Sequence, residues 1–246
     1  LYVSIALSIS QLIVPLFFTF FLFSKKYTSI RPSFNAIDFT LKKELLTLGA
    51  KFFIIQVSLV ILFSLTNILI AQIANQKLVA DYNIAYKYFF TLIMIFNIII
   101  TPFWSAITEA TVKNDYNWIN KTLKTLSLLG ILFCIIAIIL YFFSDKVFVL
   151  WLGKSVSVDN NIVFLVFLIS LTQIIKQPYN SVLNGVGKIQ LQFYHSIFVI
   201  ISFVPLTLLF IKFFNLGIYG ILLSSLLLNT IGFVLWVVQA NKILTR

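Results

Sequence analysis

Long apolar runs separated by short polar breaks dominate this chain. Seven stretches reach the length of about 20 mostly apolar residues that a helix needs to cross a bilayer. They are residues 1–23, 48–73, 84–108, 125–150, 161–185, 190–211 and 217–240. None shows the alternating ten-residue pattern of a membrane barrel strand. Backbone groups in lipid must pair within their own segment, so each run predicts a helix. The predicted fold class is all-α: a polytopic membrane helix bundle with seven transmembrane helices.

One break is long. Residues 24–47 contain Arg31-Pro32, which favours extended backbone. Ile37, Leu41, Leu45 and Leu48 then fall near one helical face, with Lys42, Lys43 and Glu44 opposite and Asp38 placed to cap. This predicts a short amphipathic helix on the membrane surface; an ordinary connecting loop is the alternative. One helix, a linker and six more helices predict a lobe boundary. Residues 1–23 are then the last helix of a missing N-terminal lobe, 24–47 a cytoplasmic linker, and 48–246 a six-helix C-terminal lobe. The chain begins at Leu1 inside an apolar run, and its only Met is Met94. It reads as the C-terminal part of a longer protein, with neither the basic n-region nor the cleavage site of a signal peptide.

Composition agrees with the pattern. Of 246 residues, 61% are hydrophobic and 10% charged, with a mean hydropathy of +1.05. Soluble domains carry about 25% charged residues, so soluble enzymes and nucleic-acid-binding modules are excluded. The net charge of +11 is that of lysines flanking membrane spans, not of a nucleic-acid partner. Lys25, Lys26, Arg31, Lys42, Lys43, Lys51, Lys113, Lys121, Lys124, Lys188, Lys242 and Arg246 fall on one side, against Lys77, Lys87, Lys146, Lys154 and Lys212 on the other. The heavier side is predicted to be cytoplasmic, with the C-terminus on it.

Polar residues inside spans face a partner helix or a cavity. Gln173, Lys176, Gln177, Asn180 and Asn184 share one face of the fifth span. Lys176 lies well inside the run, and Pro178 frees the carbonyl of Ile174. A charge, amides and a free carbonyl on one stripe predict a polar cavity; helix–helix glue with a snorkelling lysine is the alternative. In the third span Asn97, Thr101, Ser105 and Thr108 form a stripe, with Pro102 inside and Lys87 near the outer end. In the second, Gln56 and Asn67 share a face, and Lys51 stands near the inner mouth. The fourth span is almost wholly apolar and is predicted to face lipid. His195 reads as hydrogen-bonded structure, and Trp104, Trp118, Trp151 and Trp236 as an interfacial aromatic belt.

Some chemistry is missing. There is no Cys/His cluster for a metal and no GxxxxGK[ST] phosphate loop. The seven acids are scattered singly. No catalytic residue, metal or cofactor is predicted.

Several segments carry a family resemblance. Pro102-Phe103-Trp104-Ser105-Ala106, Thr108-Glu109-Ala110, Asp115 and Trp118-Ile119 resemble the segment after the eighth helix of O-antigen and capsular polysaccharide flippases. So does Gly49-Ala50-Lys51-Phe52-Phe53-Ile54-Ile55-Gln56, with Asn67 later in that helix. Tyr82-Asn83-Ile84-Ala85-Tyr86-Lys87-Tyr88-Phe89, Trp151-Leu152-Gly153-Lys154 and Leu183-Asn184-Gly185-Val186-Gly187-Lys188-Ile189-Gln190 extend the resemblance over most of residues 45–192. It implies the multidrug/oligosaccharidyl-lipid/polysaccharide exporter fold, two six-helix lobes around a cavity. The implied activity is transport of undecaprenyl-pyrophosphate-linked sugar repeats across the bacterial inner membrane, for lipopolysaccharide O-antigen or capsule. On that reading Lys176, with Lys51 and Lys87, faces the anionic pyrophosphate. Gln56, Asn67, Asn97, Gln173, Gln177, Asn180 and Asn184 complete the substrate-binding set. The implied partners are the lipid-linked oligosaccharide, membrane lipids, the missing N-terminal lobe and other glycan-assembly proteins. A drug or cation exporter of the same fold and a membrane enzyme of glycan assembly are the rival readings.

Overall fold

The computed structural model describes residues 2–33, 38–73, 75–153 and 157–244. Ile37, Lys154 and Arg246 lie outside the described residues. Among the described residues there are seven long helices: α1 (Tyr2–Phe21), α2 (Lys42–Ile73), α3 (Gln76–Val112), α4 (Tyr116–Leu152), α5 (Asn160–Gly185), α6 (Gln190–Lys212) and α7 (Gly217–Leu244). Each is long and apolar enough to cross a membrane, and no strand occurs among the described residues. The chain is a multi-pass, all-helical membrane protein.

Helices α3 and α4 each run for 37 residues, or about 55 Å at the helical rise. The hydrocarbon core is only about 30 Å thick, so both helices tilt or project beyond it. Their apolar runs are shorter than the helices because polar turns at the ends remain helical. Local chemistry sets those ends. The Asn75 side chain accepts from Leu78 N–H at 3.0 Å, starting α3. Asp115 does the same for Trp118 N–H at 3.0 Å, starting α4. Asp159 accepts from the N–H groups of Asn161 and Ile162, starting α5. Each satisfies backbone donors that the first helical turn leaves unpaired.

The chain divides into two compact units after Thr47. In the first, α1 runs through Pro15 and ends in a π turn over Leu22–Lys26, followed by a 3-10 turn over Thr28–Ile30. Its apolar side chains, Leu12, Phe17 and Phe20 among them, are exposed. Asp38 caps a 3-10 turn over Phe39–Leu41 by accepting from Thr40 N–H at 2.8 Å and Thr40 Oγ1 at 2.6 Å. These bonds, the side-chain one foremost, hold its carboxyl below the ordinary carboxylate range. Residues 42–47, read from the sequence as part of a separate surface helix, are the first turns of α2. No proline or cap interrupts the chain between Lys42 and Ile73, so nothing stops the helix there.

The second unit, from Leu48, is a bundle with α5 at its centre. Helix α5 packs against α3, α4 and α7, and α6 packs on α7. Ile162, Val166, Phe167, Ile174, Val182 and Leu183 are all buried along α5. Aromatic pairs join it to its neighbours: Phe89–Phe167 at 5.8 Å from α3 and Tyr141–Phe167 at 4.8 Å from α4. Lipid is as apolar as these rings, so close packing rather than hydrophobic transfer holds the helices together. Gly185 is where this matters most. A methyl group there would stand 2.5 Å from Ile107 Cγ2, so α5 meets α3 at a distance only glycine permits. Helix α2 leans on α3 through longer side chains, with Phe52 on Trp104 at 5.5 Å and Phe63 on Tyr86 at 4.8 Å. Helix α4 exposes Leu128, Ile131, Ile135 and Phe142 on one face and buries Phe133 and Ala137 on the other. The apolar fourth span thus has one lipid-facing side, not two.

Candidate functional site

Burial of α5 on several sides turns its polar stripe inward. A cavity of about 110 Å³ lies between α2, α3, α5, α6 and α7. Lys176, Asn180 and Asn184 of α5 line it, together with Gln56 of α2 and Trp104 of α3. Helix α6 contributes Gln192, His195 and Ser196, and α7 contributes Asn229 and Trp236. No carboxylate is among the lining residues.

Lys176 is 8% exposed. Its position on α5 is nine residues before Gly185, about 13 Å along the axis. Its Nζ donates to Asn229 Oδ1 at 2.9 Å and sits 4.7 Å from the centroid of the Trp236 ring. A buried ammonium loses several kcal/mol of hydration. One amide oxygen and one aromatic face offset part of that loss; neither cancels the charge. Asn229 is itself oriented, its Nδ2 donating to Ser225 O at 2.9 Å. That leaves its oxygen for the ammonium.

The rest of the cavity is a set of neutral hydrogen-bonding groups. Gln192 Nε2 donates to Asn180 Oδ1 at 2.9 Å, and Asn180 Nδ2 reaches Gln177 Oε1 at 3.4 Å. His195 Nε2 lies 3.1 Å from Leu228 O. A carbonyl only accepts, so this nitrogen carries the proton and the other ring nitrogen is the acceptor. The ring fits because Gly232 faces it: a methyl at Gly232 would stand 2.7 Å from His195 Cε1. Two polar atoms stay unsatisfied in this wall. Trp236 Nε1 and Asn184 Oδ1 are buried with no hydrogen-bond partner.

The sequence-derived candidates separate into two groups. Gln56, Lys176, Asn180 and Asn184 come together at the cavity, with Gln177 behind Asn180. Lys51, Asn67, Lys87, Asn97 and Gln173 do not line it. Asn67 accepts instead from Asn83 Nδ2 at 3.1 Å and donates to Phe63 O, tying α2 to α3. Lys87 is exposed in a groove with Tyr88, Phe90 and Trp151. Asn97 has a buried Oδ1 without a partner elsewhere on α3. Lys51 and Gln173 are half-buried. The carbonyl of Ile174, freed by Pro178, is not part of the stripe. Ile174 O and Pro178 both lie 3.8 Å from where a methyl on Gly130 would stand, so they face α4. The helical turn puts residues 174 and 178 off the Lys176 face.

Sequence reasoning missed Gln192 and Asn229, and read Trp236 differently. Trp236 is 9% exposed and belongs to the cavity wall, not to an interfacial belt. His195 is hydrogen-bonded as expected, but at the cavity. Gln192, His195 and Ser196 at i, i+3 and i+4 on one face were the available signal.

Residues 2–159 match a family described as polysaccharide biosynthesis protein. The match runs from α1 through α4 to the residue that caps α5. No curated protein and no solved structure matches the chain. The matched segment covers more than half of the chain and takes in four of the seven membrane-spanning helices. The chain belongs to the polysaccharide biosynthesis protein family.

Proposed function

We propose that this chain is the C-terminal half of a flippase, one that moves undecaprenyl-pyrophosphate-linked oligosaccharide repeat units across the bacterial inner membrane. The observation that carries this reading is Lys176. It places an uncancelled positive charge on the central helix, facing a cavity with no carboxylate in its lining. Coulomb terms grow as the local dielectric falls, so such a site attracts anions and repels cations. A pyrophosphate answers that charge. Gln56, Asn180, Asn184 and Gln192 meet sugar hydroxyls, with Gln177 supporting Asn180. Lys51 and Lys87 serve on the gate sides, away from the cavity.

The remaining parts follow from alternating access. Helix α1 is the last helix of an N-terminal lobe, and the segment to Thr47 links it to the lobe described here. Rocking of the two lobes exposes the site to each membrane face in turn. The ends carrying Lys113, Lys121, Lys188 and Lys242 are cytoplasmic, as is the C-terminus. Translocation breaks no bond, so the site holds no catalytic residue. A cation exporter of the same fold would require an acidic side chain where Lys176 stands.

The test is glycan export in cells whose own flippase is deleted, using the complete protein at matched membrane levels. Lys176→Ala should sharply reduce export, Lys176→Arg should retain more, and Lys176→Glu should be worst. Wild-type export by the Ala and Glu variants would sink the assignment.

A further inference from the structure

An open groove of about 590 Å³ lies between α3 and α4. It shares no lining residue with the Lys176 cavity. Helix α3 contributes Lys87, Phe90 and Ile95, and α4 contributes Leu140, Val147 and Trp151. Tyr88 stands between the two helices, its ring 5.1 Å from that of Phe148 and its Oη donating to Leu140 O at 3.0 Å. Thr91 Oγ1 donates to Lys87 O at 2.8 Å. Both hydroxyls of the lining are therefore engaged within the protein. An ammonium, an indole N–H and hydrocarbon are left to meet a ligand. No carboxylate lines the groove. Asp145, two residues before Val147, falls on the other side of α4 and lines a different pocket with Lys77.

The polar and apolar parts of the groove are separated along the membrane normal. Lys87 and Trp151 stand at the ends of their apolar runs, and the groove continues inward from them. Ile95 lies eight residues beyond Lys87, about 12 Å along α3. Leu140 lies eleven residues before Trp151, about 16 Å along α4. The hydrocarbon of one leaflet is about 15 Å deep, half of the bilayer core. A cation and an aromatic ring at headgroup level, above one leaflet's depth of apolar lining, match a phospholipid with its phosphate at the mouth and one acyl chain in the groove. Free phosphate would use Lys87 and leave the apolar lining unanswered. A polyprenyl chain is far longer than the groove, whereas an acyl chain ends where the leaflet does. The ammonium of a zwitterionic headgroup would find no carboxylate here and would face Lys87 instead. The charge of the site thus favours an anionic headgroup.

We propose that the α3–α4 groove holds an anionic glycerophospholipid of the outer leaflet, with its phosphate on Lys87 beside Trp151 and one acyl chain running past Tyr88 toward Ile95 and Leu140. The proposal goes beyond the flippase reading: it gives the gate-side Lys87 a lipid counter-ion at a site apart from the cargo's cavity.

The experiment uses the complete protein, delipidated in detergent. Lipid retention is read by native mass spectrometry, and stabilisation by thermal unfolding. The probes are phosphatidylglycerol, phosphatidylcholine and inorganic phosphate. Wild type should retain one phosphatidylglycerol in preference to phosphatidylcholine, and that lipid should raise its unfolding temperature. Inorganic phosphate should not displace it. Lys87→Ala should weaken retention about tenfold, roughly 1.4 kcal/mol, and Lys87→Arg should keep most of it. Ile95→Trp fills the inner end of the groove without touching the charge, and should weaken retention as well. Lys212→Ala removes an exposed lysine outside the groove and should change nothing. Lipid-free unfolding temperatures equal to wild type show that the variants are folded. Equal retention by wild type, Lys87→Ala and Ile95→Trp, or equal retention of the two lipids, would overturn the site. Displacement by inorganic phosphate, or by a polyprenyl phosphate added as competitor, would overturn it too, in favour of a free anion or the cargo's own chain. The flippase reading fails separately, through glycan export indifferent to Lys176→Ala.

Discussion

The Lys176 ammonium lies 4.7 Å from the centre of the Trp236 ring, joining the central helix to α7 by a cation and an aromatic face. A desolvated contact of this kind is worth about 2 kcal/mol. The other holder, Asn229, is neutral. The pair therefore fixes where the charge sits without consuming it.

Replacing Asn229 by Asp tests that point. The new carboxylate would lie where Asn229 Oδ1 now accepts from Lys176 at 2.9 Å. It would form a buried ion pair and lose the bond to Ser225 O. These effects oppose each other, so stability should change by no more than about 1–2 kcal/mol. Export should nevertheless fall about tenfold or more, because the charge is cancelled before any anion arrives. Wild-type export by Asn229→Asp would show that a free ammonium at residue 176 is not needed.

Gly185 sets the contact between α3 and α5. Gly185→Ala should destabilise the bundle by about 1–3 kcal/mol, since its methyl would meet Ile107 Cγ2 at 2.5 Å. Adding Ile107→Ala should recover part of the loss, which thermal unfolding in detergent can read. A double variant whose loss equals the sum of the two single losses would mean that the sites are uncoupled.

The opposite end of α5 rests on Asp159. Its side chain caps the helix and accepts from Tyr219 Oη at 3.1 Å, while its N–H donates to buried Asp81 at 3.2 Å. Asp159→Ala should cost about 1–2 kcal/mol, since a cap and a side-chain bond go together. Tyr219→Phe should cost less, about 0.5–1.5 kcal/mol. A larger loss for Tyr219→Phe than for Asp159→Ala would contradict the capping role.

Topology is open to direct measurement. Reporter fusions after Lys25, Thr122 and Leu244 should report the cytoplasm, and those after Gln76, Ser157 and Phe214 the outside. Two or more sites of opposite sign would overturn the seven-span orientation.

The sequence alone was enough for the class, the number of spanning helices and the polar stripe along residues 173–184. Those features are local: a run of about 20 apolar residues must be helical in lipid, and spacing along one helix puts polar groups on one face. Of the caps, Asp38 was read from the sequence; Asn75, Asp115 and Asp159, which start α3, α4 and α5, were not, and those helices begin ahead of their apolar runs. What the tertiary structure decided is which faces meet. Asn67 and Gln56 share a face of α2, yet one bonds α3 and the other opens to the cavity. Asn229 and Gln192, unremarkable in their own helices, become partners of Lys176 and Asn180 across 53 and 12 positions of chain. Trp236 looks like an interfacial anchor in a linear reading and is a buried wall in space. Helix packing in lipid follows shape, small residues and hydrogen-bond partners on neighbouring helices. One helix's sequence does not contain its neighbour.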